Sequence, residues 1–433
     1  MTEDTALFDA ADLHGSLRDP LLGSLGFLNE VMGRYPEAIS FAPGAPHPDT
    51  LESVDLTACV DRFVDHEVAL GATPGQARRR VYEYGPSRGL INGLVSEALR
   101  RDHGIEAGPE SLVITAGAQE GMLLVLRALF ASPRDVLAVA NPCFVGITGS
   151  ARLLDLDLVS IDESPDGIDL DGLAAACRAC RAAGRSVRAL YVAPDFSNPG
   201  GTTMSPACRR QLLDLAGQED FLVIEDNTYG FTAATDQALP PLKALDTDRR
   251  VVHIGTFAKI AFPGARVGYV VADQPVAGEV GTHPLADDLA TLKTVVTVNT
   301  SPLCQAVIGG LLLQHGGSLV ALGRRKSALY RRNLTHLTDA LDHHLGELPP
   351  AGITWNRPRG GFFVRMRLPV PADAALLEVS AQKYGVLWTP MAQFYLDSSG
   401  ERQLRLSCSY LDPDQIDEGV RRLTAFVKGE VGS

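Results

Sequence analysis

Lys259 is the residue whose chemistry reaches furthest. It stands in Thr256-Phe257-Ala258-Lys259, followed by Pro263-Gly264 and then by Arg266-Val267-Gly268-Tyr269. A lysine between an apolar strand and a Pro-Gly turn can hold its amine inside a site, where it forms an imine with an aldehyde. The arginine shortly after offers a forked donor suited to a phosphate. Most lysines are solvated surface charges, so the assignment depends on the other parts such a site requires.

Those parts follow at the ends of apolar runs. Thr115 leads into Ala116-Gly117-Ala118-Gln119-Glu120, a small-residue turn opening a helix. The free N–H groups and dipole of that helix can cradle a phosphate. Asn141-Pro142-Cys143-Phe144 could lay Phe144 flat on an aromatic ring, although a core phenylalanine has the same signature. The strand Tyr191-Val192-Ala193 runs into a tight Asn198-Pro199-Gly200-Gly201 loop that can aim Asn198 into a cleft. Leu222-Val223-Ile224-Glu225-Asp226 ends on paired carboxylates, with Tyr229 close behind. On a strand the two carboxylates face opposite ways, so one of them enters the site.

Pyridoxal 5'-phosphate needs these types. A buried carboxylate keeps its ring nitrogen protonated, Asn and Tyr donors stabilise its ring oxygen, and a lysine binds its aldehyde and moves substrate protons. A helix N-terminus, hydroxyls and an arginine hold its phosphate.

The elements that must position them alternate. An amphipathic helix is marked by Leu90, Ile91, Leu94, Val95 and Leu99, and strands are expected at 111–115, 136–140, 189–193, 221–225, 251–255 and 267–272. Helices are expected at 119–130 and 207–217. This pattern implies an α/β fold with a mostly parallel sheet covered by helices, which binds ligands at the carboxyl ends of its strands. After Pro284 the chain becomes mainly helical to about Leu345, with breaks at Asn299-Thr300-Ser301-Pro302 and at Gly316-Gly317. Strands at 362–368 and 404–408 and helices at 374–383 and 413–427 then predict a smaller α+β domain. The expected division is 1–75, serving the small domain and subunit contacts; 76–315, the large cofactor-binding domain; and 316–433, the small domain.

Composition sets limits on partners. Lys and Arg number 39 against 52 Asp and Glu, a net charge of −13, which disfavours nucleic acid and anionic membrane. The basic run Arg78-Arg79-Arg80 reads as a solvated turn or helix start. No apolar run approaches the roughly 18 residues of a membrane span, and the acidic start Met1-Thr2-Glu3-Asp4 lacks a signal-peptide pattern, so a cytoplasmic location is expected. Seven scattered cysteines fit reduced, buried thiols. Cys177-x-x-Cys180 has no partner pair and lies in a helical stretch, and no metal site is expected.

Taken in order, these motifs resemble the fold-type I pyridoxal-phosphate aminotransferases of class I/II, the aspartate aminotransferase superfamily. The likeness runs from Ile39-Ser40-Phe41-Ala42-Pro43-Gly44 to the C-terminus. It implies a seven-stranded-type sheet and a homodimer with shared active sites, in which Tyr84 of Tyr84-Gly85-Pro86 reaches the neighbouring subunit's cofactor phosphate. It also implies a phosphate turn at Gly117, Ala118 and Gln119, ring stacking by Phe144, and donors to the ring oxygen in Asn198 and Tyr229. Asp226 becomes the pyridinium partner, Lys259 the imine-forming lysine, and Thr256 and Arg266 phosphate ligands. Arg405, within Leu404-Arg405-Leu406-Ser407, becomes the clamp on the substrate carboxylate, with Gly44 and Asn198 beside it. Phe41 to Gly44, Asn299 to Pro302 and Val386 to Met391 further resemble the dihydroxyphenylglycine aminotransferase branch of secondary metabolism.

The chain departs from that family at three places. Ala258 stands where relatives carry a phosphate-binding serine, Phe144 replaces a tyrosine, and Asn227-Thr228 replaces an acidic-Pro pair. The expected activity is transfer of an amino group between an α-amino acid with a neutral or aromatic side chain and a 2-oxo acid. The alternative diverts the same carbanion to β- or γ-elimination, replacement, cyclisation or oxidation. A third reading, a regulator with a winged helix-turn-helix fused to such a domain, conflicts with the acidic charge and with the motif at 39–44. Residues 17–27, His47 and 391–395 are expected walls of the side-chain pocket.

Overall fold

The computed structural model describes residues 8–19, 30–31, 33–52, 54–279, 281–346 and 352–431. Its centre is a sheet whose strands lie in the spatial order Leu112–Thr115, Gly268–Val271, Val251–Thr256, Leu222–Asp226, Ser186–Val192, Asp135–Asn141, Asp157–Ser164 and Gly167–Ile168. Adjacent strands from Val251–Thr256 across to Asp157–Ser164 pair in parallel. Gly268–Val271 is antiparallel to both of its neighbours. The expected seven strands therefore gain an eighth, the two-residue Gly167–Ile168, which folds back antiparallel on Asp157–Ser164.

The short apolar runs form strands because both faces of the sheet are covered. Leu112–Thr115 and Gly268–Val271 are buried along their whole length, the pattern of strands enclosed by helices. The helices begin at recognisable caps. Ser205 caps Pro206–Glu219, Asp169 caps Leu170–Ala182 and Ser301 caps Pro302–Gln314, each accepting a backbone N–H.

Among the elements the sequence pattern left unread, three bear on the site's framework. Asp157–Ser164 alternates too weakly to stand out, and the helices Leu56–Ala69 and Pro74–Tyr82 precede the first expected element. Arg78-Arg79-Arg80 lies within the second of these helices rather than in a turn. A capping box between Thr73 and Gln76, with Pro74 in the first turn, was the available signal.

A second core forms beyond the sheet. Strands Thr354–Trp355, Phe363–Arg367, Gln403–Ser407 and Thr389–Pro390 make an antiparallel sheet, and Ile39–Ser40 pairs in parallel with Val386–Leu387. Val31 and Phe41 are buried in this core with Leu334, Leu337, Leu341 and Leu345 of the long helix Leu319–Leu345. Leu319 and Leu322 of the same helix are buried against the large sheet's core, so one rod joins the two. The segment 1–75 is likewise divided. Cys59 and Phe63 of Leu56–Ala69 pack into the large core.

Leu56–Ala69 approaches Pro302–Gln314 closely at Gly310. A Cβ there would lie 1.9 Å from the Cys59 carbonyl oxygen, a backbone atom that cannot move aside alone. Gly310→Ala is therefore expected to destabilise the fold by about 1–3 kcal/mol, the usual cost of overpacking. The check is the midpoint of chemical unfolding; an unchanged midpoint would show that the helices separate freely.

All seven cysteines are free thiols. No single described helix is long and apolar enough to cross a membrane.

Candidate active site

The strand register brings the expected residues together. Thr115 and Thr256 both lie opposite Gly268, the first residue of the antiparallel strand. The turn after Thr115, the helical turn after Thr256 and the loop before Gly268 thus meet at one edge of the sheet. A Cβ on Gly268 would stand 2.7 Å from the Ala118 nitrogen, so the close approach requires glycine. The cavity at this edge has a volume of about 440 Å³, within the usual range of small-molecule sites. Gly44, Ala118, Gln119, Phe144, Asn198, Asp226, Tyr229, Thr256, Lys259, Arg266 and Arg405 all line it.

Lys259 sits on a single helical turn, Phe257–Ile260, capped by the Thr256 hydroxyl, which accepts the Ala258 N–H at 3.1 Å. Its Nζ donates to the Gly44 carbonyl at 2.6 Å. Burial first, then the positive charges of Arg405 and Arg266, lower its pKa to about 8, with Asp226 opposing. The sign has two consequences. Above about pH 8 the folded amine is the free base that attacks an aldehyde. From there up to the ordinary lysine value of about 10.4 the unfolded chain holds a proton that the folded chain lacks. The contribution of this lysine to stability therefore rises with pH across that window. Capture of pyridoxal 5'-phosphate by cofactor-free protein should accelerate up to about pH 8 and then level off. Stopped-flow absorbance checks this; a rate flat from neutrality upward would remove Lys259 as the attacking amine.

The two carboxylates that end Leu222–Asp226 separate as alternation requires. Asp226 lines the cavity, while Glu225 is fully buried behind it and takes up His253 at 2.8 Å and the amides of Leu242 and Lys243. Burial alone would raise Glu225; His253 and the amides reverse this and hold it ionised. Burial raises Asp226, and hydroxyl donors from Thr228 and Tyr191, each at 2.6 Å, counter the rise. Burial also pushes the Tyr229 phenol upward, so it remains a donor.

Arg405 is almost fully buried on Gln403–Ser407. It donates to Asn198 Oδ1 at 2.6 Å and to the Ala42 carbonyl at 2.9 Å, and its charge lies 4.2 Å from the Phe363 ring centroid. Its Nε–H is buried without a protein acceptor. An unsatisfied buried donor on a cation is a standing attraction for an anion. Burial lowers its pKa to about 10, which leaves it charged at neutral pH.

A phosphate fits the opposite end. Gly117, at φ +81°, precedes Ala118–Leu129, a helix whose N-terminus no side chain caps. A Cβ on Gly117 would meet Arg266 Nη2 at 2.4 Å, so only glycine lets the guanidinium lie against the turn. The Thr256 hydroxyl stands on the same edge, and Ala258 contributes no oxygen.

Comparison with known proteins decides the family. The model for aminotransferase class I and II matches residues 61–423. The chain belongs to that family. This aminotransferase is 44% identical over 416 residues to an (S)-3,5-dihydroxyphenylglycine transaminase of Amycolatopsis orientalis, covering 96% of this chain and 93% of that one. It is 28% identical over 397 residues to an aromatic-amino-acid aminotransferase of Thermococcus litoralis, covering 91% and 89% of the two chains. Its fold superposes on a kynurenine aminotransferase of Pyrococcus horikoshii with a TM-score of 0.80 at 26% identity, over 99% of this chain and 98% of that one. The protein is thus a pyridoxal-phosphate-dependent transferase of fold type I.

Tyr84, expected to serve a neighbouring subunit, is 88% exposed and stands outside this chain's own cavity. Two expected walls fall elsewhere. His47 is buried against Asp412 at 3.2 Å and is not a wall. Of 17–27, residues 20–27 lie outside the described residues and Leu17 is exposed. From 391–395, Gln393 and Phe394 do line the cavity.

The aminotransferase also uses residues the motifs did not flag. Glu120 accepts the Ala116 N–H, Lys293 Nζ and the Thr297 hydroxyl, each at 2.6 Å, and so braces the turn at 116–118. Arg209, fully buried, binds Asp195 at 2.5 Å and the carbonyls of Pro194, Met204 and Pro240, fastening the loop that carries Asn198. An arginine inside a helix gives no sequence signal of burial, which tertiary closure alone decides.

Proposed function

We propose that this aminotransferase moves an amino group between an α-amino acid with a neutral or aromatic side chain and a 2-oxo acid, in secondary metabolism. The observation that carries the substrate class is the cavity wall. Its cations among the described residues are Lys259, Arg266 and Arg405, all assigned to the cofactor or to the α-carboxylate. Met122, Phe144, Val145, Pro46 and Phe394 supply the apolar surface. The names of the two relatives above, acting on an arylglycine and on aromatic amino acids, support the same reading.

Pyridoxal 5'-phosphate, when bound, supplies an aldehyde for the lysine amine and a cationic ring that takes up an electron pair. The chain does the rest. Lys259 Nζ would hold the cofactor by its aldehyde carbon and, once displaced by the substrate's amine, would move the proton at the substrate α-carbon. Asp226 serves the ring nitrogen, Asn198 and Tyr229 the ring oxygen, and Phe144 the ring face. Gly117, Ala118, Gln119, Thr256 and Arg266 hold the phosphate. Arg405, with Asn198 and Gly44, orients the substrate carboxylate. Tyr84 serves the cofactor of a second copy, which makes the working unit a homodimer. The protein acts in the cytoplasm, and 76–315 and 316–433 form its large and small domains.

Ala258 keeps a second reading in view, because one hydroxyl contact to the phosphate is missing. Elimination, replacement, cyclisation or oxidation would use the same residues. A single turnover with amino acid alone separates them. Stoichiometric pyridoxamine phosphate and 2-oxo acid are expected; loss of a side-chain group without pyridoxamine would overturn transamination.

A further inference from the structure

Tyr191 lies near the end of the strand Ser186–Val192, whose last four residues are buried, and it is 1% exposed. A buried phenol needs a partner, and register supplies one. Tyr191 lies opposite Ile224 on the parallel strand that ends at Asp226. Its hydroxyl donates to Asp226 Oδ2 at 2.6 Å. Thr228, two residues further along the chain, donates its hydroxyl to Asp226 Oδ1 at 2.6 Å. Each carboxylate oxygen therefore has one neutral donor, and each keeps a lone pair for a further bond.

We infer that Tyr191 and Thr228 are positioning residues, a pair of hydroxyls that holds Asp226 ionised and fixes its orientation, so that the proton stays on the cofactor's ring nitrogen. This inference rests on the pyridoxal reading of Asp226. The other charged and titratable groups around it are accounted for. Lys259 and Tyr229 face Asp226 from the following elements, the His253–Glu225 pair stands behind it, and Cys143 lies near Tyr191. None of these donates a hydrogen bond to the Asp226 oxygens. A carboxylate buried to this degree without donors favours its neutral form. Loss of either hydroxyl raises its proton affinity and draws the ring proton towards oxygen.

The test uses holoenzyme carrying cofactor labelled with nitrogen-15 in the ring, in Tyr191→Phe, Thr228→Val and the double variant. Borohydride should still trap cofactor on Lys259 in all three. The ring-nitrogen resonance should move towards that of neutral pyridine, further in the double variant than in either single one. Turnover should fall about tenfold with KM nearly unchanged, the scale of loss typical of groups that orient a ligand-binding side chain. An unmoved resonance in a folded double variant, with kcat within about twofold of the parent, overturns the inference. Should Tyr191→Phe fail to fold, Thr228→Val at its half-buried position decides on the same readouts. If borohydride labels no Lys259 in the parent protein, the pyridoxal reading fails first, and the two failures are distinct.

Discussion

Lys259→Ala should leave a folded protein that no longer turns over. On the proposed function, the substitution removes both the amine that captures the aldehyde and the base that moves the α-proton. Loss of a positioned general base alone costs up to about 10⁴-fold, so kcat is expected to fall by at least about that factor. Folding should survive, because the Lys259 side chain makes one hydrogen bond, to the Gly44 carbonyl, and its burial as a cation is unfavourable. Cofactor added to the variant should form no absorbing imine, and borohydride followed by peptide mass analysis should find no adduct at residue 259. An adduct on another lysine, with activity retained, is the outcome that removes Lys259 from the centre of the site.

Arg405→Lys should separate carboxylate binding from the remaining chemistry. The guanidinium fork becomes a single ammonium, which cannot bind a carboxylate through two parallel bonds. One charge-assisted hydrogen bond contributes about 1.5–3 kcal/mol, so KM for the amino acid should rise roughly 10- to 150-fold. An amine of the same side chain without a carboxylate supplies the control. It should react at similar low rates with parent and variant protein. Equal losses with both compounds would mean that Arg405 supports the fold around Asn198 and Phe363 instead of gripping substrate.

What could be read in the sequence was what local chemistry enforces. Lys259, Asp226 and Asn198 stand at the ends of apolar strands, and strand ends in a parallel sheet converge whatever the loops do. The split between Glu225 and Asp226 followed from alternation alone. Arg266 could be singled out as a candidate phosphate donor, but its left-handed backbone at φ +48° could not be foreseen, because an arginine rather than a glycine stands there. Tyr191, Glu120 and Arg209 escaped for a different reason. Their partners are 35, 173 and 14 residues away along the chain, and contacts at such separations exist only after the sheet has closed. Glu120 looked like an ordinary first-turn helix acid, and only its burial with Lys293 reveals the brace. The Leu56–Ala69 helix was invisible as a partner of Pro302–Gln314, since Gly310 is informative only once the two helices touch.

The segment from Phe41 to Gly44 has one more consequence. It is anchored at one end by the Ile39–Ser40 ladder, and it offers the Ala42 carbonyl to Arg405 and the Gly44 carbonyl to Lys259. Arg405 and Lys259, which sit on different cores, thus lean on the same short piece of backbone. It works as a shared axle: a displacement of the strand pair at Val386–Leu387 reaches the resting contacts of both side chains together.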